Sequence, residues 1–189
     1  AEVREIDRKA EAKGCIILTE FGMDPGLDLV MGARALSEFD AVHEFYSYGA
    51  GFPVPEAANN PLKYKFTWSV IGVLRSYLRP AKIISQGKVR EIPAQEMFIP
   101  QNRHILELEE IGGPVESYPN GNSAHYAELF GLKDSVKEMA RYTCRWPGHG
   151  DFWEIMARSG FLNQEPINVG NTQIAPIQFT AALLNSQPQ

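Results

Sequence analysis

The segment 136–146 constrains the fold most, because its side chains alternate in character over a length typical of a β-strand. One set of alternating positions is Ala140, Tyr142, Cys144 and Trp146, and the other is Met139, Arg141, Thr143 and Arg145. This alternation predicts a strand that buries one face and leaves the other open to water or to a ligand.

Several shorter runs also predict strands, and they outnumber the helices. The predicted strands are 15–21, 42–48, 63–68, 81–84, 88–92, 104–110 and 115–118, with a hairpin turn at Ser85-Gln86-Gly87. Helical spacing predicts one helix that ends at Gly14 and others that follow the caps Asp24, Ser69 and Asp151. The recurring hairpins favour an α+β domain with a mostly antiparallel or mixed sheet and helices on one face.

The length of 189 residues fits one domain with an appendage. We expect residues 1–162 to form this domain and the tail 163–189, which is rich in Asn, Gln and Pro, to extend from it. The first helix has no capping residue before its pattern begins, so we expect the natural chain to start upstream.

The composition argues against nucleic-acid and membrane partners. The net charge is -5 and the two signs are interspersed, so no basic stripe can neutralise a phosphate backbone. No run approaches the roughly 18 to 20 apolar residues that span a bilayer, and we expect a cytoplasmic protein. Cys15 and Cys144 lie far apart in apolar runs without metal-ligand or redox spacing, which predicts two buried thiols and no metal site.

No self-sufficient catalytic signature occurs in the sequence, and we assign no catalytic residue. It has no phosphate loop, no His-Glu-x-x-His and no Gly-x-Ser-x-Gly. Gly49-Ala50-Gly51 lacks the third glycine of a dinucleotide fingerprint, because Val54 occupies that position. Among the histidines, His149 stands out, since it follows Arg145 in an irregular, glycine-bearing segment that could present an imidazole to a ligand.

Several motifs in a fixed order carry a family resemblance. The densest is Ser47-Tyr48-Gly49-Ala50-Gly51-Phe52-Pro53-Val54-Pro55-Glu56, followed by Asn59-Asn60-Pro61-Leu62-Lys63-Tyr64-Lys65-Phe66-Thr67-Trp68-Ser69. The others are Asp24-Pro25-Gly26-Leu27-Asp28, Gly87-Lys88-Val89, Arg145-Trp146-Pro147-Gly148-His149 and Gly160-Phe161-Leu162. Over most of the chain they resemble the C-terminal domain of the saccharopine dehydrogenase (saccharopine reductase) family.

The resemblance implies an enzyme of two domains. An N-terminal Rossmann domain, absent from these residues, would bind NAD or NADP, and the present domain would bind an amino-acid substrate and pair subunits into a homodimer. The implied fold is similar to the C-terminal domain of glyceraldehyde-3-phosphate dehydrogenase. The implied reaction transfers a hydride between a nicotinamide and the CH–NH group of an amino-acid-derived secondary amine.

The resemblance and the residue chemistry together select the candidate site residues. For the substrate they are Asp24, Gly26, Tyr64, Trp68, Ser69, Arg145 and His149, and the cofactor would approach Pro25 and Gly26. Arg145 could bind a substrate carboxylate through two hydrogen bonds, with aromatic side chains as walls. Structural roles compete with each assignment: Asp24 could be a helix cap, Arg145 an exposed strand residue, and Tyr64 and Trp68 part of the core.

One position departs from the family pattern and leaves the substrate open. Ile71 stands where the fungal enzymes, as we align them, have an arginine after Trp-Ser-Ser. Either Arg75 or Arg79 then binds that carboxylate, or the substrate differs and is lysine or a carboxynorspermidine-type polyamine. A second class stays open, in which the chain is a binding or dimerisation module without catalytic activity.

Overall fold

The structure, a computed structural model, describes residues 2–67, 69–165 and 179. Its contacts separate two units, Ala1–Asp40 and Ala41–Gln189. Apart from 163–165 and 179, the tail predicted as an extension lies outside the described residues. Within the described part of the chain, no helix has the length and apolar character needed to cross a bilayer.

The first unit contains two helices joined by an extended segment. Helix α1 covers Glu2–Glu11 and α2 covers Leu27–Leu36. The strand predicted at 15–21 is wrong: the segment forms no ladder, and its largest side chains are exposed. A strand requires a neighbour for its backbone hydrogen bonds, and none is described within this unit. Cys15 is therefore exposed rather than buried as predicted.

The turn before α2 is built around Gly26 and not around Asp24. Gly26 is the N-cap residue, and its N–H donates to Asp28 Oδ1 over 2.8 Å, so the predicted capping by Asp24 is wrong. The turn continues to Gly26, which places Pro25 outside the helix instead of in its first position. Gly26 has φ 148°, and a Cβ there would lie 2.1 Å from the carbonyl oxygen of Gly22. Only glycine fits this backbone crossing.

Within the described residues 41–67 and 69–165, the second unit forms a six-stranded sheet and three α-helices. Its strands are β1 Glu44–Ala50, β2 Ala81–Ser85, β3 Lys88–Ile92, β4 His104–Leu108, β5 Gly113–Pro119 and β6 Glu138–Arg145. Its helices are α3 Val70–Ser76, α4 His125–Leu129 and α5 His149–Arg158. Six of the predicted strands and the hairpin are confirmed. The strand predicted at 63–68 is wrong, because the described residues 63–67 form a loop that follows a tight turn.

Strand β6 is the centre of the sheet. It pairs with β1 in parallel along one edge, while β5 and β2 share its other edge in antiparallel pairing. The hairpin partner β3 lies beyond β2, and β4 lies beyond β5. The predicted α+β domain with a mixed, mostly antiparallel sheet is confirmed, and the likeness to the glyceraldehyde-3-phosphate dehydrogenase domain stays a prediction.

The core lies where α3 and α5 meet the sheet. Its buried cluster comprises Val73, Tyr77, Ala81, Ile83, Ile92, Met97, Phe98, Tyr118, Ala140, Trp153 and Leu162. Val73 lies in α3, Tyr77 is the residue that follows this helix, and Trp153 lies in α5. Burial of these large side chains stabilises the fold by roughly 1.5–3 kcal/mol for each fully buried aliphatic or aromatic residue. The same packing brings the start of α5 to the end of β6.

A buried carboxylate anchors the first turn of α5. Glu116 on β5 is 3 % exposed and accepts hydrogen bonds from Gly150 N and from Arg103, whose Nη1 lies 3.0 Å from Glu116 Oε2. The cap predicted at Asp151 is wrong, because the helix already starts at His149; Asp151 instead pairs with Arg103. Glu116 thus accepts the hydrogen bond of Gly150 N, a role that the side chain of an N-cap residue usually has.

Replacing Glu116 by Gln should destabilise the protein by about 3 kcal/mol, because the buried Arg103 charge loses its most buried counter-charge and keeps the exposed Asp151 as its nearest partner. The measurement is urea unfolding of the protein that contains this chain. Glu107→Gln on the exposed side of β4 is the matched control and should change the unfolding free energy by less than about 0.5 kcal/mol. Equal stability of the two variants would contradict the anchoring role.

Candidate functional site

Arg145, the last residue of β6, is a cation without a counter-charge among the described residues. Its Nη1 donates to the carbonyl oxygen of Cys144 over 2.8 Å, and its Nε is buried without a hydrogen-bond partner. The guanidinium lies 4.8 Å from the centre of the Tyr64 ring. Because a partly buried guanidinium is strongly stabilised by a carboxylate or a similar oxyanion, this position can bind an anionic ligand.

His149 lies beside Arg145 and is fully buried. Its Nε2 is 3.1 Å from the Tyr77 hydroxyl, and its Nδ1 has no partner. The rings of His149 and Tyr118 are parallel with centres 6.0 Å apart, and the Tyr64 ring meets His149 edge-on at 5.3 Å. Tyr64 thus contacts both Arg145 and His149. We call Tyr64, Tyr77, Tyr118, Arg145 and His149 the Arg145 cluster.

Electrostatics leave Arg145 as the charged member of this cluster. Burial, assisted by the nearby Arg145 charge, lowers the pKa of His149 to about 3, so its imidazole is neutral at physiological pH. Burial raises the pKa of Tyr77 and of Tyr118, and both hydroxyls stay protonated. The cluster therefore combines one positive charge with neutral aromatic surfaces, an arrangement suited to a carboxylate.

The structure brings together three of the residues proposed from sequence, namely Tyr64, Arg145 and His149. Ser69 is exposed and caps α3, since its Oγ accepts from Gly72 N over 3.0 Å. Trp68 lies outside the described residues. Asp24, Pro25 and Gly26 belong to the Ala1–Asp40 unit. The binding roles of all seven substrate residues and of Pro25 stay predictions.

Sequence reasoning missed Tyr77, Tyr118 and Asn60. Tyr77 and His149 are separated by 72 positions, and no local pattern signals their hydrogen bond. Tyr118 lies at the end of a correctly predicted strand, but its stacking on His149 depends on the packing of α5. Asn60 could have been found, because an Asn followed by Pro is a common turn signal.

Among the described residues, no group of His, Cys, Asp and Glu side chains is arranged to hold a metal ion. The Arg145 cluster is composed of hydrogen-bond donors and aromatic rings. Such a set can bind an anion or an organic acid through charge and shape.

The neutral state of His149 should make stability depend on pH. Its pKa falls from 6.5 to about 3 in the fold, so the unfolded chain takes up a proton first as pH decreases. Stability from this group is complete above pH 6.5 and is lost progressively toward pH 3. We expect a loss of about 2 kcal/mol between pH 7 and pH 5 that is absent in His149→Gln, measured by urea unfolding. An identical pH dependence of stability in both proteins would contradict this role of His149.

Comparison with known proteins identifies the family. The profile of the saccharopine dehydrogenase C-terminal domain matches residues 22–189. The chain is 30% identical over 186 residues to rat mitochondrial alpha-aminoadipic semialdehyde synthase, covering 96% of this chain and 20% of that protein. It is 31% identical over 165 residues to saccharopine dehydrogenase [NADP(+), L-glutamate-forming] of Pyricularia oryzae, covering 85% and 36%.

A solved structure shares the fold. The apo saccharopine dehydrogenase (L-Glu forming) of Saccharomyces cerevisiae superposes with a TM-score of 0.73 at 24% identity, over 98% of this chain and 45% of that one. The chain thus spans about a fifth to two fifths of the length of the curated relatives it matches. The resemblance seen in the sequence motifs is confirmed, and the chain belongs to the saccharopine dehydrogenase C-terminal domain family.

Proposed function

We propose that this chain is the substrate-binding and subunit-pairing domain of an NAD(P)-dependent oxidoreductase that acts on the CH–NH group of an amino-acid-derived secondary amine. The observation that carries the proposal is the Arg145 guanidinium, which packs on Tyr64 beside a neutral His149 and has no counter-charge among the described residues. The relatives named saccharopine dehydrogenase support the reaction class.

Arg145 would bind a carboxylate of the substrate. Two parallel hydrogen bonds from the guanidinium match the geometry of a carboxylate and hold its direction as well as its position. Tyr64 would support the guanidinium from one side, and the buried His149 would keep the surroundings dry without adding charge. Fixing one end of the amino acid in this way orients the amine carbon for hydride transfer.

The nicotinamide cofactor, when bound, supplies the hydride acceptor or donor, and an upstream Rossmann domain would hold most of it. In this chain the contacts proposed for the cofactor are Pro25 and Gly26. The space at Gly26 is filled by the backbone of Gly22, so its lack of a side chain already has a cause within the turn. The cofactor contact here therefore rests on the family resemblance.

The identity of the substrate depends on the first turns of α3. Ile71 is 57% exposed there, and Arg75 lies one turn further on the same exposed side. Helical side chains lean toward the N-terminus, so an arginine at 75 can reach toward the position of residue 71. We propose that Arg75 or Arg79 binds a second carboxylate, with lysine or a carboxynorspermidine-type compound as the alternative substrate.

Oxidation of L-saccharopine by the complete protein tests the proposal. Nicotinamide absorbance should rise with NAD or NADP, and Arg145→Gln should raise the KM for saccharopine by about 100-fold, because a charge-assisted pair is lost. Arg158→Gln, at an exposed ion pair on α5, is the control and should leave the KM unchanged. Lysine and carboxynorspermidine assayed in parallel separate the substrates. A complete protein that binds no nicotinamide would favour the non-catalytic binding module.

The sheet also carries an aromatic surface suited to subunit pairing. Tyr46 and Tyr48 on β1 are each 41% exposed, and the Tyr48 ring stacks on Tyr142 at 5.3 Å. The Tyr48 hydroxyl is 2.8 Å from His104 Nε2. Tyrosine side chains are enriched in protein interfaces. We propose that two copies of the protein pair through this surface. We also propose a cytoplasmic location, although the rat relative is named as mitochondrial.

Introducing a charge into this surface should separate the subunits. Tyr48→Glu is expected to shift the complete protein from dimer to monomer in light scattering, because an unpaired carboxylate would be buried at the interface. Val89→Glu, at an exposed position of β3, is the matched control and should stay dimeric. A wild-type protein that is monomeric would exclude subunit pairing altogether.

A further inference from the structure

The side chain of Asn60 forms hydrogen bonds with both the backbone N–H and the carbonyl oxygen of Tyr64. Asn60 Oδ1 accepts from Leu62 N at 3.1 Å and from Tyr64 N at 3.3 Å. Its Nδ2 donates to the carbonyl oxygen of Tyr64 at 2.7 Å. A single amide thus substitutes for the hydrogen bonds that a strand or helix would provide, in a segment that forms neither.

This clamp holds the loop in an uncommon conformation. Lys63 has φ 47°, in the left-handed region that residues with a side chain seldom adopt, and its N–H donates to the carbonyl oxygen of Asn60 at 2.9 Å. Local strain of this kind persists only where surrounding interactions over-determine the backbone. The hydrogen bonds of Asn60 on either side of Lys63 supply that constraint.

The consequence of the clamp is the placement of the Tyr64 ring. The ring lies under the Arg145 guanidinium at 4.8 Å and against His149 at 5.3 Å. Among the described residues, the other polar contact of Arg145 is the hydrogen bond to the carbonyl oxygen of Cys144. Tyr64 is therefore a principal support of the guanidinium, and its position depends on Asn60.

We propose that Asn60 is a positioning residue of the anion site: it fixes the Tyr64 ring so that the ring holds the Arg145 guanidinium in the direction needed for a carboxylate. The inference rests on the proposed function only in taking Arg145 as the carboxylate anchor. Asn60 itself does not touch the substrate. Loss of the clamp lets the ring and the guanidinium move, which weakens binding without changing the chemical step.

The first experiment needs no substrate. Phenylglyoxal modifies arginine, and peptide mass spectrometry of the complete protein gives the rate for Arg145, with exposed Arg158 as the internal reference. Asn60→Ala should raise the Arg145 rate several-fold, because the ring no longer shields the guanidinium. Asn59→Ala is the matched control, since the Asn59 side chain accepts a hydrogen bond from the exposed Lys65 ammonium. In a Tyr64→Leu background, Asn60→Ala should have no further effect.

The second experiment measures steady-state kinetics with L-saccharopine. Asn60→Ala should raise the KM by about tenfold with kcat nearly unchanged, and Asn60→Asp, which keeps the acceptor oxygen, should recover part of that loss. An unchanged Arg145 modification rate in Asn60→Ala, or an effect that persists without Tyr64, would overturn the role of Asn60. Failure of the complete protein to oxidise saccharopine would instead count against the proposed function, while the modification experiment still decides the role of Asn60.

Discussion

Hydrogen bonding of β6 on both of its edges is the constraint on which the rest of the structure depends. Strand β1 pairs along one edge, and β5 and β2 divide the other, so the central strand is held over its whole length. Its last residue, Arg145, is therefore placed by the sheet rather than by a loop. The adjoining α5 is held to β5 through Glu116, which brings His149 to Arg145 with little freedom.

The proposed site would gain its selectivity from how few charges it contains. A guanidinium on an aromatic ring keeps its charge and loses part of its hydration, so a carboxylate bound there would meet little competition from water. Burial keeps His149 neutral and Tyr77 and Tyr118 protonated, which leaves the attraction of Arg145 undivided. Tyr64 belongs to a loop, and its backbone is held by the Asn60 side-chain amide rather than by the hydrogen bonds of a helix or strand.

The successes and failures of sequence reasoning have local causes. Alternation over 136–146 predicted the strand β6 correctly, but the predicted open face is wrong, because β6 is central and buries Met139 and Arg141 on one face as well as Ala140 and Cys144 on the other. The same reasoning failed at 15–21 and 63–68, where apolar residues are present but the described structure supplies no neighbouring strand for pairing. Asp24 and Asp151 were assigned as caps from residue type, whereas the N–H groups at the two helix starts have other partners. Gly26 N donates to Asp28, and Gly150 N donates to Glu116, which is distant in sequence.

The sequence by itself determined the family, the mixed α+β class and the residues proposed to bind a carboxylate. These follow from alternation, turn residues and ordered motifs, which are local properties of the chain. Only the tertiary structure decided that Arg145, Tyr64 and His149 meet, that His149 is neutral, and that Asn60 holds the loop. Contacts between distant segments and the desolvation they cause depend on how strands and helices pack, and no single segment encodes that packing.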